Sequence, residues 1–263
     1  MMFGKIIAVL KKDAINALRY RNGIAFTVVA EGAQFTTFYY LARAVGPQFR
    51  PEGMPYFLFL LIGTGFYTFL LAGIHSFFRT IQESQQTGTL EALLTTTTSA
   101  PVLVGLNAMS AFAAGFVHLL IYVGVGLYFF APIQHVAAPG CILIFVLSVF
   151  ITFAIGLYAA GLQISICKGA AVLWLLGSGA WLLSGTLFPV SALPRAVRFI
   201  SFCIPFTHSL YGMRLALIGG NAPELTREIV ILAAFTLAMV PTSLWFFSWT
   251  VKQARQNGTL SFY

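Results

Sequence analysis

Apolar residues run through this chain in six long blocks separated by short polar or proline-rich breaks. The blocks cover residues 24–45, 56–78, 102–130, 141–166, 170–188 and 229–251. Each is close to or above the ~20 residues that a helix needs to cross the ~30 Å hydrocarbon core of a bilayer. The pattern predicts an all-α integral membrane protein with six transmembrane helices in a single domain, residues 1–263. Ahead of the first block, Phe3, Ile6, Ile7, Leu10, Ala14, Ala17 and Leu18 fall on one helical face, and Lys5, Lys12, Asn16 and Arg19 fall on the other. Residues 1–22 therefore read as a helix lying in the plane of the interface, with its basic side towards anionic headgroups.

Two breaks are longer than turns. Residues 79–101, RTIQESQQTGTLEALLTTTTSAP, are the only long polar interruption in the first two-thirds of the chain, and the pattern places them in water. Within them Thr87 and Gly88 read as helix-start residues. Glu91 falls in the first turn, where the macrodipole favours an acid, and Leu90, Leu93 and Leu94 share a face. Thr95 to Thr98, four β-branched residues in a row, favour the end of that short helix. Its leucines either rest on lipid headgroups or, rimmed by Gln82, Glu83, Gln85, Gln86 and Glu91, insert into a groove on a soluble partner.

The second long break, 189–227, is too polar to span and too apolar for a solvated loop. Pro194 suits the first turn of a helix in which Leu193, Val197, Ile200 and Ile204 share a face, while Arg195, Arg198 and Ser201 turn away. Pro205 interrupts it, and a second piece carries Leu210, Met213, Arg214 and Leu217 towards Gly219 and Gly220. The two pieces fit either a re-entrant hairpin dipping into the outer leaflet or a hairpin lying flat on the surface.

Composition sharpens the class. The 263 residues are 59% hydrophobic and 8% charged, with a mean hydropathy of +0.87, outside the range of soluble globular domains. The net charge of +8 comes from basic residues near span ends, which argues against nucleic acid as a partner and for membrane lipids. Five of them precede the first span and set the N-terminus inside, and Lys252 and Arg255 put the tail inside too, so residues 79–101 are also expected to be cytoplasmic. No cleavable signal is expected. Cys141, Cys167 and Cys203 are scattered without a CxxC pair and read as packing residues, and the dispersed histidines offer no metal site. The sequence lacks a GxxxxGK[ST] phosphate loop, so the energy source would be another polypeptide or an ion gradient.

Glu31 is the residue hardest to dismiss, since an acid inside a span is costly and is usually paired or functional. His75 in span two lies at a comparable depth, so the two can bond between helices, either as a polar clamp or as a gate or substrate contact. His118 in span three reads as a packed, hydrogen-bonded histidine. Ser178 and Ser184 are each followed by glycine, yet neither has the upstream glycine and histidine of a nucleophile site; they read as small-residue contacts, as do Gly156 with Ala160 and Gly177 with Gly179. Phe38-Tyr39-Tyr40 and Tyr128-Phe129-Phe130 read as interface belts, with an aromatic-lined path for amphiphiles as the other reading.

GTLEALL followed by a threonine-rich turn resembles the cytoplasmic loop of type 2 ATP-binding-cassette (ABC) exporter permeases. FPVSALPRAVRFISFCIPFTHSLYGMR resembles the signature of the same family between spans five and six, carried here by Pro189, Leu193, Pro194, Pro205, Thr207, His208 and Arg214. The chain differs from the usual pattern at Ser84–Thr87, where charges are commoner, and at Leu106 and Asn107. The resemblance implies the membrane subunit of an ATP-driven exporter in a bacterial-type inner membrane, paired with a second permease copy or a similar chain. It implies a cytoplasmic ATPase dimer seated on Thr87, Gly88, Thr89, Leu90, Glu91, Leu93 and Leu94, with ATP and Mg in that partner and no cofactor in this chain. The implied cargo is amphiphilic, lipid-linked or polysaccharide-like. An ion-coupled carrier using Glu31 and His75 is the alternative, although the chain shows no internal repeat between its halves.

Overall fold

The computed structural model describes residues 21–89, 100–130, 136–166, 169–219 and 222–256, and among these every regular element is helical. Helix α1 covers Arg21–Val45, α2 Tyr56–Gln86, α3 Ala100–Phe130 and α4 Ala138–Ile166. Helix α5 covers Gly169–Leu183, α6 Arg195–Cys203, α7 Pro205–Leu217 and α8 Ala222–Gln256. Three of these, α2, α4 and α8, are long and apolar enough to cross a membrane, which makes this a membrane protein. Shorter apolar stretches lie at Phe112–Tyr128 and Gly169–Leu183. The interfacial helix expected over 1–22, apart from its last two residues, lies outside the described residues, as do Leu90, Glu91, Leu93 and Leu94.

The bundle is built around α2. Its 31 residues extend ~47 Å at 1.5 Å per residue, well beyond the ~30 Å apolar core of a bilayer. From Phe57 to Tyr67 every side chain is buried, because α3 and α4 pack along α2, α1 covers part of it and α7 closes over one end. Ring contacts carry much of this packing: Phe69 stacks on Phe145 of α4 at 5.1 Å, and Phe77 meets Phe153 edge-on at 5.2 Å. A second apolar cluster joins Phe77 and Ile81 of α2 to Leu157 of α4 and Phe247 and Val251 of α8. Helix α1 is the least enclosed, with Phe26, Val28 and Val29 uncovered and Phe38 as its buried anchor.

Several boundaries differ from those read in the sequence. Residues 79–86, expected in the polar loop, continue α2, since nothing in them breaks a helix and Ile81, Ser84 and Gln85 turn inward. Thr87 and Gly88, expected to start a helix, end this one. Gly88 has φ +67°, its N–H donates to the Gln85 carbonyl, and the Thr89 N–H donates to the Ser84 carbonyl at 2.9 Å, the paired bonds of a Schellman stop. Helix α5 stops at Leu183 rather than 188, and its middle is a π-turn over Leu175–Ala180. The Leu176 carbonyl there accepts both the Trp181 N–H and the Tyr67 hydroxyl. Gly177 and Gly179 sit in that turn without the close interhelical approach expected of them, whereas Gly156 lies hard against Phe77. Helix α8 begins seven residues before the expected 229 and runs through Pro241.

The hairpin is turned differently from its sequence reading. Of the residues expected to turn away from the apolar face, Ser201 is fully buried, Arg198 half-buried and Arg195 exposed, while Phe199, Ile200 and Phe202 are exposed. Phe199, Ile200 and Phe202 of α6 thus face outward, while Arg198 and Ser201 face the protein. Helix α7 is buried from Phe206 to Leu210 and from Gly212 to Ala216, so it is a core helix of the bundle.

Candidate functional site

Proline chemistry makes the joint between α6 and α7. The Ser201 carbonyl would bond the N–H of residue 205 in an unbroken helix, but Pro205 has none. The Thr207 hydroxyl donates to that carbonyl instead, at 2.7 Å, and the Ile204 N–H joins it at 3.1 Å. One residue on, the break also frees the Phe202 carbonyl, and His208 Nε2 lies 3.0 Å from it. The Pro205, Thr207 and His208 run is thus a device that closes the end of α6 while α7 starts at a new angle.

His208 reaches further. Its Nδ1 lies 2.7 Å from Glu228 Oε2 on α8, so both ring nitrogens face oxygen acceptors. Only an imidazolium can donate from both. Burial is the largest influence and pushes the His208 pKa down, but the bonds to Glu228 and to the Phe202 carbonyl together outweigh it, and the net direction is upward. The pair pins α7 to α8.

Arg214 meets four residues from three parts of the chain. Its Nη1 donates to the Gly185 carbonyl at 2.9 Å, and its Nη2 donates to the Phe59 carbonyl at 3.0 Å and the Thr186 carbonyl at 3.4 Å. The guanidinium lies over the Phe59 ring at 3.5 Å, with Glu52 Oε2 3.7 Å away, and the residue is 1% exposed. Helix α2 admits it because Gly63 has no side chain: a Cβ there would sit 2.1 Å from Nη2. Glu52 stands in the turn between α1 and α2 with φ +54°. Burial pushes its carboxyl pKa up, and Arg214 pulls the other way with less effect.

These groups line a cleft of about 740 Å³ under α6 and α7, which also takes in Ser184, Arg198, Arg227 and Phe235. Of the expected signature residues, Pro189, Thr207, His208 and Arg214 line it, while Leu193, Pro194 and Pro205 shape the helices around it. The sequence singles out neither Glu52 nor Glu228, and it marks Ser184 only as a small-residue contact and Arg198 only as part of the polar side of α6. An acid between Pro51 and Gly53 has the signature of an ordinary surface turn, and nothing local announces that it faces an arginine 162 positions later.

The acid of α1 has a different partner from the one expected. Glu31 bonds His118 of α3, not His75, because α1 packs on α2 with this acid turned towards α3. His118 is not packed away: its side chain is 46% exposed and that of Glu31 is 20% exposed. The pair opens on a second cleft of about 420 Å³, lined also by Thr27, Gln34, Thr68 and Tyr122. Tyr122 donates to Gln34 Oε1 at 3.3 Å and stacks on Phe35 at 4.8 Å, which fixes the wall beside the pair. His75 is half-buried on α2, away from this cleft.

At the far end of α2, Gln163 Nε2 of α4 donates to Gln85 Oε1 at 2.9 Å, and the Gly169 N–H donates to Gln163 Oε1 at 3.2 Å. The buried amides lock the last turn of α2 to α4 and to the start of α5. Thr87 and Thr89 share a hydroxyl contact at 2.8 Å just beyond it and are exposed, as is Gly88. Among the described residues no group of three or more His, Cys, Asp or Glu side chains could hold a metal ion. No protein-family model matches the chain, and no curated protein matches its sequence.

Proposed function

We propose that this chain is the membrane-spanning subunit of an ATP-driven exporter of the type 2 ABC kind. It would cross a bacterial-type inner membrane six times with both termini in the cytoplasm, and α6–α7 would form a re-entrant hairpin on the outer side. It would carry an amphiphilic, lipid-linked or polysaccharide-type cargo outward. A separate pair of ATPase subunits, holding ATP and Mg, would dock around Thr87–Leu94, and a second permease copy would complete the path.

One observation carries this reading: α2 is an unbroken, enclosed rod whose two ends belong to two different devices. At one end the Gln85–Gln163 amides hold its last turn to α4 just before the Gly88 stop and the exposed Thr87–Thr89, and at the other the Phe59 carbonyl and ring hold Arg214 of the hairpin. A displacement applied at Thr87 would reach the hairpin without an intervening hinge, because a close-packed rod passes strain on where a loop absorbs it. The expected outcome of Leu90→Asp is loss of ATPase co-purification and of transport with the permease still folded. Undiminished co-purification would sink the docking assignment.

The Glu31–His118 contact favours a second reading, an ion-coupled carrier acting alone, since a half-exposed acid–imidazole pair inside a span suits proton exchange. Transport by the purified chain without an ATPase, lost in Glu31→Gln, would select it.

A further inference from the structure

The cleft under α6 and α7 holds an excess of unspent hydrogen-bonding groups. Five buried side-chain polar atoms among the described residues lack a hydrogen-bond partner, and four of them belong to residues that line this one cleft: Glu52 Oε2, Ser184 Oγ, Arg198 Nε and Arg214 Nε. Ser184 and Arg214 are each 1% exposed, so neither can turn to bulk solvent for a partner. Buried polar groups left unpaired are costly, and their concentration at one place points to something that binds there.

Their chemistry defines the ligand. Two guanidinium N–H groups and a hydroxyl can donate, and a single carboxylate oxygen can accept. Three arginines, Arg198, Arg214 and Arg227, line the cleft against two acids, Glu52 and Glu228, and Glu228 is already held by His208. The complement is an anion with several acceptor oxygens and one hydroxyl donor. Guanidinium groups suit phosphate oxygens in particular. The apolar wall, Phe202 with Phe235, continues onto the exposed outer flank of α6 at Phe199 and Ile200, which gives an acyl chain a way out of the cleft.

We propose that this cleft binds an anionic phosphoester bearing a neighbouring hydroxyl, the chemistry shared by a glycerophospholipid headgroup and free glycerol phosphate. The phosphate oxygens take the Nε–H groups of Arg198 and Arg214 and the Ser184 hydroxyl, and the ligand hydroxyl donates to Glu52. The site does not depend on the exporter reading, since nothing in it requires an ATPase.

The test titrates short-chain phosphatidylglycerol, and separately glycerol phosphate, into the purified full chain in neutral detergent, following the unfolding temperature. A saturable rise with phosphatidylglycerol is expected. A matching rise with glycerol phosphate shows that the headgroup suffices, and its absence shows that the acyl chain is needed. Ser184→Ala removes a hydroxyl that holds nothing within the fold, so the variant should fold as the parent does and bind about tenfold more weakly or worse. Arg198→Gln should also weaken binding; because Arg198 also bonds the Ser191 and Leu193 carbonyls, Ser184→Ala decides if that variant fails to fold. The absence of a saturable rise with either compound, or undiminished affinity in Ser184→Ala, would overturn the proposal.

Discussion

Arg214 with Glu52 and His118 with Glu31 each set a cationic or imidazole side chain against a carboxylate from another part of the chain, yet their surroundings are opposite. Arg214 is walled in, with three backbone carbonyls and an aromatic face around it and Glu52 almost covered. The His118–Glu31 pair stands at the side of a cleft with nearly half of the histidine uncovered. A charge whose two Nη groups are held by fixed acceptors is first of all part of the scaffold, with only its Nε left over for a ligand. A charge left open inside an apolar span adds little to the fold and is free to meet something that arrives.

Removing the enclosed cation should have the largest effect. Arg214→Met leaves the Gly185, Phe59 and Thr186 carbonyls without their donor and strands Glu52, so a loss of about 3–5 kcal/mol is expected, the range for breaking a buried pair. Unfolding in mixed detergent micelles would measure it. Adding Glu52→Gln to that variant should recover part of the loss by removing the stranded charge. A single variant as stable as the parent would show that Arg214 is ornamental to the fold, and the contrast between the two pairs would collapse.

The same contrast explains which features a reader of the sequence can find. The apolar blocks are legible because a span needs only local composition, and α2, α4 and α8 emerge from them. Pro205 and Thr207 are legible as a break, since proline acts on its own neighbourhood. Glu52 is not legible as the partner of Arg214, because their meeting depends on how a turn before α2 folds over the far end of α7. Gly88 was read as a helix start because glycine and threonine suit either end of a helix, and only the inward turn of Ile81, Ser84 and Gln85 shows that α2 runs that far. Depth alone matches Glu31 to His75. Depth gives the level of a residue along a span but not the side of the helix on which it lies.

A medium effect is expected where burial and charge oppose each other, at His208. Its pKa in the fold is raised above the ordinary 6.5, so the stabilisation from its pairing with Glu228 is fully present below pH 6.5 and is lost as pH rises through the folded value. Melting temperature should therefore fall as pH is raised from 6.5 into the alkaline range. Glu52, whose pKa is also raised, acts in the same direction but from pH 4.5 upward. Arg227 opposes the charge on His208. His208→Gln separates the contributions: the fall beginning at 6.5 should flatten in this variant and persist in the parent. An equal slope in both would remove His208 from the account.

Glu31→Gln should change stability least. The side chain keeps an acceptor for His118, and hydrogen bonds between membrane helices contribute only about 0.6 kcal/mol on average. The unfolding midpoint should stay near that of the parent, while any transport or ligand response that runs through the side cleft should change. That pairing of a small structural effect with a large functional one is what an open pair implies, and Arg214→Met should not show it. If Glu31→Gln unfolds as readily as Arg214→Met, the acid is a clamp between α1 and α3. The cleft beside it would then be a gap in packing, and the search for a moving partner would shift to the hairpin.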